Sequence, residues 1–281
     1  MSEARVLLPA NATLTLQPDM RILLTVYQTI MIFTAILGNS VVVYATRKFN
    51  AIHLDCGSVL LVQNLALTDV ALVVLAYVPK LITLLGGGWV LGHAACAITA
   101  FAQFAPGASE IMTLTSIAGY RCYMVRFPLK AHPSVSRTKA LIGVIWGSAV
   151  LLPAVFICSN KTTAVFDVRT LGCVTNVATS HPTLTLIGLF VFGIVPVLLT
   201  ITLNLYTLLL ASWYLSPRKG SKTSLKKHAS SHNRQALVSP ALVFIYISAY
   251  IQHSPTHLTF LSIYWLLQCW SFQFNRLMIF I

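Results

Sequence analysis

The chain has 281 residues, of which 57% are hydrophobic and only 9% are charged, and its mean hydropathy is +0.78. Soluble domains carry about 25% charged residues, so this composition excludes a soluble enzyme, a coiled coil and a disordered chain. It indicates a membrane protein with several crossings. The formal net charge of +13 does not call for nucleic acid as a partner, because basic residues also collect in the cytoplasmic loops of membrane proteins.

Seven apolar runs are long enough to cross a bilayer, which takes about 20 residues of helix. Their bounds are near residues 23–46, 58–85, 94–125, 139–158, 183–212, 237–256 and 258–281. We therefore expect an all-α integral membrane protein, with an N-terminal tail over 1–22 and a bundle of seven transmembrane helices over 23–281. The basic stretch at about 213–236 is expected to be the third cytoplasmic loop, with no eighth helix or C-terminal tail after the seventh span.

The distribution of lysine and arginine predicts the orientation, because cytoplasmic loops are enriched in both. With the N-terminus outside, 14 of the 19 basic residues fall on the cytoplasmic side and 5 on the outer side. Two N-glycosylation sequons, at Asn11 and Asn160, also fall on the outer side. Both signals predict a multi-pass plasma-membrane protein with an extracellular N-terminus and membrane lipid around its helices.

Six cysteines are present without a C-x-x-C pair, so neither a zinc ribbon nor a redox motif is indicated. In the predicted topology Cys96, at the outer end of the third helix, and Cys173, in the loop after the fourth, face the same oxidising compartment. A disulfide between them would tie that loop over the mouth of the bundle. Two free thiols are the alternative.

Two acidic residues lie deep in apolar helices, where a charge is costly and usually marks a function. They are Asp69 in the second helix and Glu110 near the middle of the third. Two carboxylates that approach each other share a proton or hold a cation such as sodium. The alternative is simple hydrogen bonding to Asn39, Ser109 or a buried water, and hydrogen bonding between helices is also the simplest role of Asn39 in the first helix.

Two further groups of polar residues call for an explanation. Arg121 ends the third helix on the inner side, where its guanidinium can reach a cytoplasmic partner or extend to the membrane interface. His253 and His257 are four residues apart on the predicted sixth helix and would need a further ligand to hold zinc. Because Pro255 lies between them and no glutamate follows His253, a zinc hydrolase is a weak alternative.

The motifs, taken in chain order, resemble those of rhodopsin-like (class A) G-protein-coupled receptors from about residue 25 to residue 281. The matching positions are Gly38-Asn39, Leu65 to Asp69, Cys96 with Cys173, Trp146 with Pro153, and Pro196. Arg121 follows Cys96 by 25 residues, the separation that the family shows between its disulfide cysteine and the arginine of its D-R-Y motif. Within the family, Gly88 to Gly92 and the Arg-Cys-Tyr context after the third helix resemble melatonin receptors and their orphan relatives.

This resemblance implies a receptor, not an enzyme, that binds an extracellular ligand and promotes nucleotide exchange on heterotrimeric G proteins. The expected coupling residues are Tyr120, Arg121 and Asn275. Tyr120 stands where the family usually has an acid, and among the six acids only Asp55 lies on the cytoplasmic side. We therefore expect a weakly restrained inactive state with high basal activity.

The end of the chain departs most from the family. Asn275-Arg276 replaces the start of the N-P-x-x-Y motif, and helices six and seven look abbreviated. A truncated or signalling-impaired receptor is therefore one alternative to an active one. A transporter is the rival from another class, although the chain shows no internal repeat and seven helices do not divide into two halves.

The ligand site is expected between the outer ends of the helices, lined by Gln103, Phe104, Gly107, His253 and His257, with core packing as the alternative role for each. The resemblance places Gln103 where amine receptors carry an aspartate, and Cys269 near the retinal-binding lysine of opsins. Both replacements disfavour an amine or covalent retinal. We expect a neutral, lipidic or peptidic ligand, and no cofactor beyond an allosteric sodium ion at Asp69, Glu110 and Asn39.

Overall fold

The structure is a computed structural model that describes residues 16–49, 56–127, 134–157, 164–168, 170–175 and 181–215. Four of the seven predicted spans lie within these ranges, and the span predicted at 139–158 does so except for its last residue. The spans predicted at 237–256 and 258–281 lie outside the described residues, as does most of the basic loop at 213–236.

Helices form most of the described chain, in the order that the apolar runs predict. The elements are α1 (Pro18–Phe49), α2 (Cys56–Leu72), α3 (Val78–Gly86), α4 (Gly92–Ala102), α5 (Phe104–Arg126), α6 (Val135–Ile157), β1 (Ala164–Asp167), β2 (Gly172–Thr175), α7 (Pro182–Leu189) and α8 (Val195–Leu215). A π-helical turn at Val73–Tyr77 joins α2 to α3, and a second at Phe190–Ile194 joins α7 to α8.

The first helix begins earlier than its apolar run predicts, at Pro18 instead of residue 23. Proline is favoured in the first turn of a helix, and the carboxylate of Asp19 complements the positive helix N-terminus. The positive charges of Arg47 and Lys48 complement the negative C-terminus of the same helix. At 32 residues the helix is about 48 Å long, so its ends extend beyond the roughly 30 Å of hydrocarbon.

Proline explains the irregular turns in the second and fifth spans. Pro79 and Pro196 each lie two residues after the end of a π-helical turn. A proline has no N–H to donate to the carbonyl four residues earlier, and its ring clashes with that carbonyl, so the preceding turn widens. Each span remains helical from end to end, with a change in its winding.

The third span is interrupted, where the sequence predicts one run over 94–125. It consists of α4 and α5, with Gln103 between them outside both helices. Pro106 accounts for the break, because it cannot donate a hydrogen bond to the Ala102 carbonyl, four residues earlier, at the point where α4 ends. Gln103 keeps its backbone hydrogen bond to the Thr99 carbonyl, at 3.3 Å.

A two-stranded antiparallel hairpin follows the fourth span, which the all-α expectation did not include. Strands β1 and β2 pair in register from Ala164 opposite Thr175 to Asp167 opposite Gly172. The connection between them contains Leu171 with a positive φ of 54°. Neither strand, with the sequences AVFD and GCVT, alternates apolar and polar residues, so the sequence carries no strand pattern here.

Among the residues that the structure describes, three helical spans are long and apolar enough to cross a membrane by length and composition. They are Pro18–Lys48, Gly57–Gly86 and Thr185–Leu210. The chain divides into two compact units. The first, called the hairpin unit, contains the described residues of Met1–Val41, Leu65–Glu110 and Gly143–Phe190. The second, called the arginine unit because it contains Arg121, contains the described residues of Val42–Asn64, Ile111–Ile142 and Val191–Ile281.

Candidate ligand site and coupling site

The core of the hairpin unit packs the hairpin against α4. Phe166 on β1 is completely buried, and its ring centroid lies 6.0 Å from that of Trp89. Trp89 is 4% exposed, and its indole Nε1 donates a hydrogen bond of 2.8 Å to the Gly92 carbonyl. The two rings thus form a small hydrophobic core with Cys96 and Cys173.

The hairpin is attached to the third span at two points. Cys96 on α4 forms the predicted disulfide with Cys173 on β2, with Cα atoms 5.2 Å apart. Gln103 provides the second attachment, since its side-chain Nε2 donates a 3.1 Å hydrogen bond to the Cys173 carbonyl. The predicted disulfide is confirmed, and Gln103 has a structural contact that the sequence did not indicate.

Two more of the predicted ligand residues follow Gln103 on α5. The side chain of Phe104 is half-buried. Gly107 is one turn away, and a Cβ built at this position would have no heavy atom of the described residues within 4 Å. The described residues therefore leave open space beside Gly107, and a ligand role for the three residues stays a prediction.

Lys80 lies beside the hairpin and was missed as a candidate ligand residue. Its ammonium lies 5.4 Å from the centroid of the Tyr77 ring, and its side-chain carbons approach Gly172 on β2. Lys80 makes no ion pair with any residue that the structure describes. The signal available in the sequence was a lysine directly after Pro79 within an otherwise apolar span.

The three residues predicted to hold sodium all belong to the hairpin unit. Asn39 on α1 is 2% exposed, and its Nδ2 donates a 2.9 Å hydrogen bond to the Ala35 carbonyl. Asp69 and Glu110 are half-buried on α2 and α5. An amide and two carboxylates are oxygen donors of the kind that hard cations such as sodium prefer.

In the arginine unit, Arg121 is half-buried near the end of α5. It forms no ion pair within the described ranges. The same helix is bonded to α8 through Thr115, whose Oγ1 lies 2.9 Å from Oγ1 of Thr200 and donates to the Pro196 carbonyl. The guanidinium therefore lies on a helix that is fixed by hydrogen bonds, and no carboxylate of the described residues pairs with it.

Tyr120, the neighbour of Arg121, contributes to a cavity of about 380 Å³ between α2, α5 and α6. Leu61, Ser116, Tyr123, Arg137 and Leu141 are among the other lining residues. The Tyr120 hydroxyl is buried and has no hydrogen-bond partner in the described chain.

The remaining predicted site residues cannot be placed. His253, His257 and Asn275, and the sequon residues Asn11 and Asn160, lie outside the described residues. Their proposed roles in ligand binding, coupling and glycosylation stay predictions.

The chain is similar to known receptors along most of its length. Residues 38–281 match the family model of the 7 transmembrane receptor (rhodopsin family). A QRFP-like peptide receptor from Branchiostoma floridae is 26% identical over 154 residues, which are 54% of this chain and 40% of that protein. G-protein coupled receptor 54 from Oreochromis niloticus is 31% identical over 133 residues, which are 46% of this chain and 34% of that protein.

The fold agrees with these matches. Squid rhodopsin superposes on 95% of this chain and 86% of its own with a TM-score of 0.73 at 16% sequence identity. The expected seven-helix bundle and resemblance to class A receptors are therefore confirmed, while the likeness to melatonin receptors stays a prediction. The chain belongs to the rhodopsin family of seven-transmembrane receptors and is a multi-pass protein of the plasma membrane.

Proposed function

We propose that this chain binds an extracellular peptide and promotes nucleotide exchange on heterotrimeric G proteins. The observation that carries the proposal is Arg121, which stands at the family's coupling position and makes no ion pair within the described chain. A guanidinium has five donors in a fixed planar arrangement, which suits it to contact a protein partner. With Tyr120 in place of the usual acid, little electrostatic restraint opposes this contact, so exchange occurs without agonist.

The peptide class is supported by one relative and by the hairpin unit. The Branchiostoma floridae relative is named as a peptide receptor. In this chain the hairpin, the open space beside Gly107 and the cation of Lys80 all belong to the hairpin unit. A peptide could pair with a hairpin backbone and place an acidic group near Lys80, with Gln103, Phe104, His253 and His257 as further candidate contacts.

Nucleotide exchange in membranes tests the coupling step. The wild type, Arg121→Ala and Arg126→Ala are compared at equal surface levels on a panel of G proteins, with and without a peptide library. Arg126 is the matched control because it is an exposed arginine on the same helix, 5.5 Å from the Phe127 ring. We expect exchange above mock membranes for the wild type and Arg126→Ala, and its loss in Arg121→Ala.

Two results would contradict the proposal. One is wild-type exchange no higher than in mock membranes with every G protein and every peptide. The other is equal exchange by Arg121→Ala and the wild type.

A sodium ion held by Asp69, Glu110 and Asn39 is proposed as a modulator of this activity. The second carboxylate makes the site more acidic than one with a hydroxyl, so both sodium and protons are expected to change the exchange rate. The change Glu110→Ser tests this: sodium and pH responses that are the same in the variant and the wild type would rule the site out.

A further inference from the structure

Two threonine hydroxyls join the third and fifth spans at the carbonyl of Pro196. Oγ1 of Thr115 on α5 lies 2.9 Å from Oγ1 of Thr200 on α8 and 3.1 Å from the carbonyl oxygen of Pro196. Thr200 donates to the same carbonyl at 2.7 Å. Thr200 is 8% exposed and Thr115 is half-buried, so little water competes for these groups. Thr115, Thr200 and the Pro196 carbonyl are called the threonine cluster below.

The two hydroxyls of the threonine cluster have different roles. Thr115 takes part in both contacts that cross from α5 to α8, one with the Thr200 hydroxyl and one with the Pro196 carbonyl. Thr200 donates to Pro196 within its own helix. Without the Thr200 hydroxyl, Thr115 can still donate to the Pro196 carbonyl across the helices. Without the Thr115 hydroxyl, the cluster has no hydrogen bond that joins the two helices.

The threonine cluster lies at a point where α8 can change its direction. The π-helical turn Phe190–Ile194 ends two residues before Pro196, and helices bend at π-helical turns and at prolines. Past the cluster the two helices stay close, because a Cβ built at Gly119 on α5 would lie 3.9 Å from Cδ1 of Leu203 on α8. Arg121 follows two residues later on α5. The cluster therefore holds the part of α8 that runs beside the helix of the arginine.

We propose that the threonine cluster restrains the coupling of Arg121 to a G protein, with Thr115 and Thr200 as positioning residues. This inference rests on the function proposed above. Arg121 is half-buried and has no ion pair among the described residues. Movement of α8 away from α5 makes the guanidinium more accessible to a partner, and the hydrogen bonds of the cluster oppose that movement. Loss of these bonds shifts the population towards the conformation that couples.

Basal nucleotide exchange tests this inference, measured in membranes at equal surface levels on the panel of G proteins. Thr115→Val removes the hydroxyl and keeps the shape of the side chain. We expect it to raise the basal rate about threefold, the effect of an average hydrogen bond between membrane helices. Thr200→Val should raise the rate less, and the double variant should match Thr115→Val. Thr115→Ser keeps the hydroxyl and should exchange at the wild-type rate.

Thr202→Val is the matched control, because Thr202 is exposed on α8 and donates to the Leu199 carbonyl of the same helix at 2.9 Å. It should exchange like the wild type. When Thr115→Val is added to Arg121→Ala, the rate should not rise, since the cluster acts through the arginine. Three results would overturn the inference: an unchanged or lower rate in Thr115→Val, an equal rise in Thr202→Val, or a rise that persists without Arg121.

Hydrogen–deuterium exchange separates a failure of this inference from a failure of the proposed function. It is measured on the detergent-solubilised full chain without a G protein, after thermal unfolding has shown that each variant is folded. We expect faster deuterium uptake over residues 197–207 in Thr115→Val than in the wild type and in Thr202→Val. Equal uptake in Thr115→Val and Thr202→Val overturns the restraint, whatever the nucleotide exchange assay shows. Faster uptake without any wild-type nucleotide exchange overturns the proposed function and the role of the cluster in coupling, and leaves only the contact between the helices.

Discussion

At the scale of single residues, the contacts of Gln103 change how this side chain is interpreted. The resemblance places Gln103 at a ligand-binding position, where it disfavours an amine ligand. In the structure its Nε2 donates to the carbonyl of Cys173, a residue that is 3% exposed. A buried carbonyl left without a hydrogen bond lowers the stability of a protein by about 1–3 kcal/mol. Gln103 therefore contributes to the stability of the hairpin whether or not it touches a ligand.

We expect Gln103→Leu to lower the thermal unfolding temperature of the detergent-solubilised protein, and Gln103→Glu to lower it further. The leucine removes the donor, whereas the glutamate turns an oxygen toward the carbonyl. Gln28→Leu is the control with a smaller expected effect, because the hydrogen bond from Gln28 to the Tyr77 carbonyl is longer, at 3.4 Å. If Gln103→Leu unfolds at the same temperature as the wild type, the hydrogen bond from Gln103 contributes nothing to stability.

At the scale of elements, the ends and breaks of the helices follow from a few residues. The second span ends at Gly86, and Gly87 follows it with a φ of 72°. This conformation is unfavourable for any residue that has a Cβ atom. The Gly87 N–H donates to the Thr83 carbonyl, and Arg21 from α1 donates to the Leu84 and Leu85 carbonyls at 2.6 Å. The last carbonyls of a helix have no partner within it. Here they accept hydrogen bonds from the turn at Gly87 and from Arg21.

Gly87→Ala is expected to destabilise the protein by about 1–3 kcal/mol, the usual cost of a left-handed conformation in a residue other than glycine. The added Cβ would also lie 3.1 Å from Nη1 of Arg21. Gly147→Ala is the matched control: Gly147 lies inside α6, and a Cβ there meets no atom of the described residues within 4 Å. That change should be neutral or stabilising by up to about 1 kcal/mol. Unfolding in detergent measures both, and equal effects of the two changes would contradict this account of the helix end.

At the scale of the whole molecule, the sequence predicted the class of fold because membrane spans produce long, strong signals. The apolar runs, the basic inner side and the Cys96–Cys173 disulfide all follow from requirements of the bilayer or of the redox compartment. The hairpin, the contact of Gln103 and the cavity at Tyr120 could not be predicted. They depend on which side chains meet across elements, and neither hydropathy nor motif spacing contains that information.

Orientation is the property of the whole molecule on which both proposals depend. An epitope tag before Met1 should be stained on intact cells, and a tag inserted after Gly220 only after permeabilisation. Asn11→Gln and Asn160→Gln are expected to reduce the mass that a glycosidase removes. Gln235→Thr completes a sequon at Asn233 in the loop predicted to be cytoplasmic, and it should stay unmodified because glycosylation occurs on the outer side.

The disulfide gives an independent check of the same orientation. Because disulfides persist outside the reducing cytosol, Cys96 and Cys173 should resist thiol labelling until a reductant is added, and they should lie on the same side as the stained N-terminal tag. If the Gly220 tag is stained on intact cells, the orientation is inverted and the hairpin lies in the cytosol, where the disulfide would be reduced. Arg121 would then be out of reach of a G protein. The charge bias and the disulfide therefore have to agree, since an inverted chain would satisfy neither.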